Sequence, residues 1–117
     1  MRATKRVCRQ MLIGIALFAA SATQMALLYR NNLLLTATLL ITATAALALW
    51  GKRENIYVFA IGALVGWAGE TICANAGAWT YAYPTLWGIP LWLPVAWGLA
   101  TVLVKAMAET LAGPRAD

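Results

Sequence analysis

Glu70 is the only charged residue between Asn55 and Val104, in a stretch that is otherwise strongly apolar. A carboxyl group at membrane depth is costly, so such a residue is a candidate functional site. The chemistry open to a single acid in apolar surroundings is proton transfer. It can bind and release a proton in a transport cycle, or protonate a substrate as a general acid. None of the other acidic residues lies in this stretch, so no second carboxylate accompanies Glu70.

The elements that must position Glu70 follow from composition and length. The chain is 62% hydrophobic and 11% charged, whereas a soluble domain is about a quarter charged. A bilayer core of roughly 30 Å needs about 20 apolar helical residues. The charge-free runs, with a turn at Asn75, Gly77, Pro84 and Gly88, predict helices at about 11–29, 33–50, 56–76 and 87–107. We therefore expect residues 1–117 to form one all-α, integral membrane four-helix bundle.

The distribution of basic residues predicts the orientation, because short cytoplasmic loops carry the excess of Lys and Arg. Four spans place both termini and the loop after Trp50 on one side, with every basic residue except Arg30. That side collects Arg2, Lys5, Arg6, Arg9, Lys52, Arg53, Lys105 and Arg115. We expect both termini in the cytoplasm, and the basic N-terminus and Ala-rich helices suit a bacterial inner membrane. The net charge of +5 then reflects orientation rather than binding of nucleic acid.

The N-terminus also fits a second interpretation, a cleaved signal peptide. Its basic start resembles a positive n-region, and Ala20-Ser21-Ala22 fits a small-residue cleavage site. The apolar run continues past Ala22 to Tyr29, which favours an anchored first helix.

Polar residues on other helices are predicted to lie at the depth of Glu70. At about 1.5 Å per residue, Glu70 lies roughly 21 Å above the inner surface. Gln24 and Thr38 occupy the same level, with Thr42 within about one turn. Since polar groups in lipid must find partners, we expect Glu70 to point inward and to hydrogen-bond to some of these three. The alternative to a functional acid is a hydrogen bond that locks helices 2 and 3 together.

Small residues on helix 3 predict a close helix contact. Gly62 and Gly66 have the Gly-x-x-x-Gly spacing, Gly69 follows, and such residues let another helix approach closely. Helix 2 is also rich in small residues, so we expect the tight contact between helices 2 and 3. Packing within the bundle and packing against another subunit both remain open.

The segment between helices 3 and 4 is rich in aromatic residues and prolines. Pro90 and Pro94 are expected to kink helix 4 or to delay its start. The segment 79–88 would form a short aromatic cap over Glu70, either an ordinary interfacial loop or the lid of a small cavity. A flat apolar ligand would contact the tryptophans Trp67, Trp79, Trp92 and Trp97, of which Trp67 and Trp97 are expected near the midplane. The alternative is that these residues only pack or face lipid.

Residues 70–98 resemble a known family. The order of Glu70, then Gly77-Ala78-Trp79-Thr80-Tyr81, then Gly88-Ile89-Pro90 is similar to the signature of membrane carotenoid hydratases of the bisanhydrobacterioruberin type. Those enzymes add water across a terminal double bond of a long carotenoid, and they are longer, with more spans. The resemblance implies that Glu70 protonates an alkene and that Tyr81 places the water.

Three functional classes follow from these observations. We expect an accessory or scaffold subunit that packs against other transmembrane helices and lipids, rather than an enzyme. The alternatives are a proton-coupled transporter of lipophilic molecules using Glu70, and an isoprenoid-modifying or carotenoid-modifying enzyme with Glu70 as general acid. The chain has no His and no phosphate-binding glycine loop, so no metal site, nucleotide or other cofactor is expected.

Overall fold

The computed structural model describes residues 2–113, and in them the chain forms four α-helices. These are α1 (Arg2–Leu28), α2 (Asn32–Trp50), α3 (Glu54–Asn75) and α4 (Leu93–Ala112). Each is long and apolar enough to cross a membrane. The expected all-α, four-helix architecture of a multi-pass membrane protein is confirmed. The described residues contain no β-strand, and Arg115 lies outside them.

Asn31 and Gly51 define the two ends of α2. The Asn31 side chain caps the start of α2 by accepting a hydrogen bond of 3.1 Å from the backbone N–H of Leu34. At the other end Gly51 has a φ of 56°, and its N–H reaches the Leu47 carbonyl. A residue in this left-handed conformation ends the helix with its last carbonyls satisfied.

α3 ends in a Schellman motif centred on Gly77. Gly77 has a φ of 87°, and its N–H bonds to the Ala74 carbonyl at 3.2 Å. The Ala78 N–H bonds to the Cys73 carbonyl at 2.9 Å. This pair of bonds requires a residue that tolerates positive φ, which a glycine supplies without steric cost.

α4 begins at Leu93, six residues later than the expected start near residue 87, because a tight turn occupies residues 86–89. Leu86 and Ile89 form an isolated antiparallel bridge around Trp87 (φ 52°) and Gly88 (φ 82°). Positive φ at both central residues is the requirement of a type I′ turn and excludes a helix there.

The prolines delay α4 rather than interrupt it. Pro90 precedes the helix, and Pro94 lies in its first turn. A proline in the first turn removes an N–H that has no intrahelical partner, so its ring costs the helix nothing. Of the two expected effects of Pro90 and Pro94, the delayed start of helix 4 is observed, and a kink stays a prediction. α1 begins before the expected residue 11, and α4 ends after the expected residue 107. Both helices continue through charged residues that lie beyond their apolar runs.

Helices that follow one another in the chain run antiparallel, which gives the bundle two distinct ends. At the basic end the start of α1 meets the end of α2, where Trp50 Nε1 donates to Gln10 Oε1 at 2.8 Å. The start of α3 and the end of α4 lie there too. At the aromatic end, the connection of residues 76–92 between α3 and α4 contacts the start of α2, through Asn32 Nδ2 and Thr85 Oγ1 at 2.9 Å. The described chain therefore begins and finishes at the basic end.

α4 is the central helix of the bundle. It packs against each of the other three, α1 and α2 also pack together, and α3 packs chiefly against α4. α2 contributes one buried residue per turn to the core, at Leu35, Leu39, Ala43 and Ala46. α4 contributes the facing side chains Leu93, Leu99 and Leu103. The expected tight contact between helices 2 and 3 is wrong, because α4 lies between them.

Candidate functional site

The Glu70 carboxyl is paired with Tyr81. Glu70 lies in the last two turns of α3, and its Oε2 accepts a hydrogen bond of 2.5 Å from the Tyr81 hydroxyl. Both residues are half-buried. Within residues 2–113 the other carboxyl oxygen, Oε1, accepts no hydrogen bond. Glu70 therefore keeps one oxygen available for a proton or a polar group.

Tyr81 is positioned by the end of α3 and by Trp92. The Schellman motif at Gly77 turns the chain back over α3, which brings Tyr81 within reach of Glu70, about two helical turns before Gly77. The Tyr81 ring meets the buried Trp92 edge to face, with centroids 6.5 Å apart and planes at 89°. Edge-to-face contacts of this kind orient aromatic rings. The phenol is thus directed by packing as well as by its hydrogen bond.

Side-chain amides fasten the 76–92 connection to the helices on either side. Asn32 Nδ2, at the start of α2, donates to the Tyr83 carbonyl and to Thr85 Oγ1, both at 2.9 Å. Asn75 Nδ2, at the end of α3, donates to the Trp87 carbonyl at 2.9 Å. This last bond helps to hold Trp87 in its positive-φ conformation, which costs energy for a residue with a side chain. The connection is therefore held in place by hydrogen bonds from α2 and α3.

Burial and Glu70 together change the acidity of the phenol. Burial is the largest cause, followed by the hydrogen bond and the charge interaction with Glu70, and they raise the pKa of Tyr81 above its ordinary value. Tyr81 consequently stays a hydrogen-bond donor over the whole neutral range. It can orient Glu70, or a molecule bound to Glu70, without losing its own proton.

Two buried polar atoms beside the pair lack a partner among the described residues. One is Oγ1 of Thr71, which follows Glu70 in α3, and the other is Nε1 of Trp92, whose ring packs on Tyr81. Buried polar atoms are normally hydrogen-bonded, so each exception calls for an explanation such as a bound water or ligand. Each of these two atoms is free to bond to a water or a small polar group.

The predicted polar layer exists, but Glu70 is not part of it. Gln24 Nε2 donates to Thr42 Oγ1 at 2.8 Å, and Thr42 Oγ1 donates to the Thr38 carbonyl at 3.0 Å. Thr38 Oγ1 donates to the Leu35 carbonyl, so these three residues form the contact of α1 with α2. Depth alone placed Glu70 with them. The expectation is wrong, because Glu70 takes Tyr81 as its partner and α3 packs against α4.

The three glycines of α3 have different surroundings. A methyl group built on Gly62 would overlap Thr101 of α4, and one built on Gly66 would overlap Trp97 of α4. Both glycines are therefore contact points between α3 and α4. Gly69 differs, because no atom lies within 4 Å of a methyl group built there. Gly69 is expected to be a helix-packing residue, but within residues 2–113 no other helix lies against it.

The four tryptophans predicted as ligand contacts do not gather around one site. Trp67 packs on Trp87 with ring centroids 5.5 Å apart. Trp97 covers Gly66 in the contact of α3 with α4, and Trp79 is exposed. Trp92 lies beside the Glu70–Tyr81 pair through the Tyr81 ring, and the Trp79 side chain is close enough to Tyr81 to act on its pKa. Tyr81 is thus the aromatic residue that contacts Glu70, and Trp92 and Trp79 are next to Tyr81.

A polar cluster at the basic end was missed by the sequence reasoning. Lys105 Nζ lies 2.9 Å from Asn55 Oδ1, 3.1 Å from Glu109 Oε1 and 3.7 Å from Glu54 Oε1. Lys52 Nζ also reaches Glu109 Oε1, at 3.4 Å. The spacing of Lys105 and Glu109, four residues apart on one helix, is a signal that would have found part of it. The described residues contain no group of three His, Cys, Asp or Glu placed to hold a metal ion.

Comparison of the chain with protein-family models, with curated proteins and with solved structures finds no match. The function is therefore argued from the site and from the helix surfaces alone.

Proposed function

We propose that this chain is a small multi-pass membrane protein that acts as an accessory or scaffold subunit, packing against transmembrane helices of a partner. The observation that supports it is the free surface of α3. This helix packs chiefly against α4, and Asn55, Gly62 and Gly66 are its only fully buried residues. The rest of its circumference is available to other helices or to lipid.

The outer face of α3 has the composition of a helix contact. It consists of exposed residues on one side of the helix, namely Ile61, Leu64, Val65, Ala68, Gly69 and Ile72. Helices associate in membranes by close van der Waals packing, and small residues permit that approach. Ala68 and Gly69 form a shallow place between larger side chains, and Gly69 has no neighbour within 4 Å of a built methyl group.

The orientation belongs to the same proposal. Exposed basic side chains of α1 and of the α2–α3 connection lie at the basic end, whereas Arg30 lies at the aromatic end. By the positive-inside rule the basic end faces the cytoplasm, with both termini. A bacterial inner membrane is the location we assign on this basis.

The test compares two glycines on α3. Gly69→Leu should leave the thermal stability of the purified chain unchanged but reduce the particle mass in mild detergent to one copy of 12.6 kDa. Gly66→Leu should instead unfold the chain or lower its stability, because Trp97 occupies the space. A wild-type chain that is already a single copy in native-membrane extracts would contradict the proposal. A larger particle would show whether its second component is a different protein or another copy of this chain.

A second candidate function is proton chemistry at Glu70, and the Glu70–Tyr81 pair favours it. The carboxyl is half-buried with one oxygen free of hydrogen bonds from residues 2–113, and Thr71 and Trp92 have unpartnered polar atoms nearby. Such an acid could carry a proton in exchange for a lipophilic substrate. In a hydratase it would donate a proton to one alkene carbon. Water would then bond to the other carbon and return a proton to the Glu70 carboxylate.

Glu70→Gln separates the two candidate functions. The amide has nearly the same shape as the carboxyl group, but it cannot act as an acid or a base. A scaffold should keep its partner and its stability within about 1–2 kcal/mol. A carrier or hydratase should lose transport of a lipophilic cation in vesicles, or hydration of a polyene in membranes. Glu54→Gln, an exposed acid at the basic end, is the matched control and should change neither.

A further inference from the structure

A cavity opens at the basic end of the bundle, between the start of α1, the α2–α3 connection and the end of α4. Its volume is about 550 Å³. Its polar lining residues are Arg6, Gln10, Lys52, Asn55, Glu109 and Thr110. The apolar part of the wall includes Leu49, Trp50 and Ala112. It lies at the opposite end of α3 from Glu70, since Asn55 in its wall is in the first turn of that helix and Glu70 is near its last turn, and it is separate from the site described above.

Two cations line this cavity, and the one acid in its wall is already neutralised. Glu109 Oε1 lies 3.1 Å from Lys105 and 3.4 Å from Lys52. Both ammonium groups contact this carboxylate, and Lys105 also lies 3.7 Å from Glu54 Oε1, so the two lysines are balanced by two carboxylates and Arg6 is left in excess. Arg6 is exposed and forms no ion pair with any residue from 2 to 113. The balance of charge around the cavity is positive, which favours an anion.

Amide groups add donors without charge. Asn55 is 1% exposed, and its Oδ1 accepts a hydrogen bond of 2.9 Å from Lys105. Gln10 Oε1 accepts a bond of 2.8 Å from Trp50 Nε1. Since each carbonyl oxygen is fixed by a donor, the NH₂ group of each amide is left as a donor. Neither NH₂ group has a partner among the described residues.

We propose that this cavity binds the phosphate group of an anionic lipid. A phosphate oxygen is the acceptor that an arginine, a lysine and two amide NH₂ groups bind together. Basic pockets between transmembrane helices at the cytoplasmic side are suited to lipid headgroups. The apolar wall at Leu49 and Trp50 gives the glycerol and the first part of the acyl chains a surface to lie on. A free phosphate ion has the same anionic chemistry, but it has no apolar part that could lie against that wall.

The test measures retained lipid and stability together. The chain is placed in bilayer discs of phosphatidylcholine alone, or of phosphatidylcholine with phosphatidylglycerol. Lipid retention by native mass spectrometry and the thermal unfolding midpoint are then recorded. We expect retention of phosphatidylglycerol and a raised midpoint for the wild-type chain. The double variant Arg6→Gln, Lys52→Gln should retain it about tenfold less.

Arg53→Gln is the matched control. It removes one positive charge from the same connection, but Arg53 does not line the cavity, so lipid retention should stay at the wild-type level. If the double variant does not fold, Arg6→Gln alone tests the same point, because Arg6 makes no ion pair with other described residues. Equal loss in Arg53→Gln would overturn the site, since attraction would then come from the general charge of this end.

Inorganic phosphate added to discs of phosphatidylcholine distinguishes the two sources of the anion. No rise in the midpoint with phosphate, together with a rise with phosphatidylglycerol, supports the lipid assignment. A rise with inorganic phosphate and none with phosphatidylglycerol would overturn it. Equal midpoints in all three conditions would overturn the proposal as a whole.

Discussion

The Tyr81 hydroxyl donates a 2.5 Å hydrogen bond to Oε2 of Glu70, and this bond joins the long connection of residues 76–92 to the helix that precedes it. Because Tyr81 also packs edge to face on Trp92, directly before α4, the contact links the end of α3 to the start of α4. The acid of the apolar stretch is thus both a link between elements and the group best placed for proton transfer.

The strength of this link can be measured by a double-mutant cycle on Glu70→Gln and Tyr81→Phe. We expect each single variant to lower the free energy of unfolding by about 1–2 kcal/mol, because each leaves a half-buried partner without its hydrogen bond. The double variant should cost less than the sum of the two. Chemical unfolding in detergent, followed by circular dichroism, gives the values.

Tyr83→Phe is the control for this cycle, since it removes a hydroxyl from the same connection without touching Glu70. Strict additivity of Glu70→Gln and Tyr81→Phe would mean that the bond contributes nothing to stability.

The surroundings of the α3 glycines predict opposite effects of the same substitution. Gly66→Ala should lower the free energy of unfolding by about 1–3 kcal/mol, because the methyl group would force Trp97 away and separate α3 from α4. Gly69→Ala should be neutral or stabilising by about 0.5–1 kcal/mol, because alanine is the better helix former and the space is open. Thermal unfolding of both variants in the same detergent tests this prediction. A loss at Gly69 as large as that at Gly66 would show that Gly69 is covered in the native assembly.

The number of helices could be predicted from the sequence because apolar length is a property of each segment by itself. The boundaries at charged residues could not. α1 remains helical through Lys5, Arg6 and Arg9, since a helix does not end where the bilayer does. The delayed start of α4 depends on positive φ at Trp87, a residue whose type gives no sign of that conformation.

The pairing of side chains was harder to predict than their depth. Gln24, Thr38 and Glu70 were assigned to one level from the rise per residue, but a shared level does not say which helices touch. α4 takes the central place, so the polar residues of α2 meet α1 while Glu70 meets Tyr81. The resemblance to carotenoid hydratases named Glu70 and Tyr81 together. The two side chains are hydrogen-bonded to each other, and the resemblance itself stays a prediction.

The contact of α1 with α2 offers a test of an incompletely satisfied amide. Gln24 donates to Thr42 at 2.8 Å, while its Oε1 is buried without a partner among residues 2–113. Gln24→Met removes both polar atoms at similar volume and should change stability by less than about 1 kcal/mol. Thr42→Val should cost about 1–3 kcal/mol, because the buried Gln24 amide then has no partner at all.

Thermal unfolding of Gln24→Met and Thr42→Val side by side gives the comparison. If Gln24→Met is the more damaging of the two, then Gln24 Oε1 has a partner, such as a water or a helix of another chain.

The raised pKa of Tyr81 predicts how stability changes at alkaline pH. The folded state holds the phenolic proton more tightly than the unfolded state, in which the pKa is about 10. The contribution of the protonated phenol is therefore fully present below about pH 10 and is lost as the pH rises through the folded-state value.

The difference in unfolding free energy between the wild-type chain and Tyr81→Phe should be constant at neutral pH and shrink toward about pH 11. Comparing the two chains at each pH cancels the titration of lysines, which they share. Tyr83→Phe should follow the wild-type curve, because it leaves the Glu70–Tyr81 bond in place. A wild-type curve parallel to that of Tyr81→Phe up to the highest pH would mean that burial and Glu70 do not hold this proton.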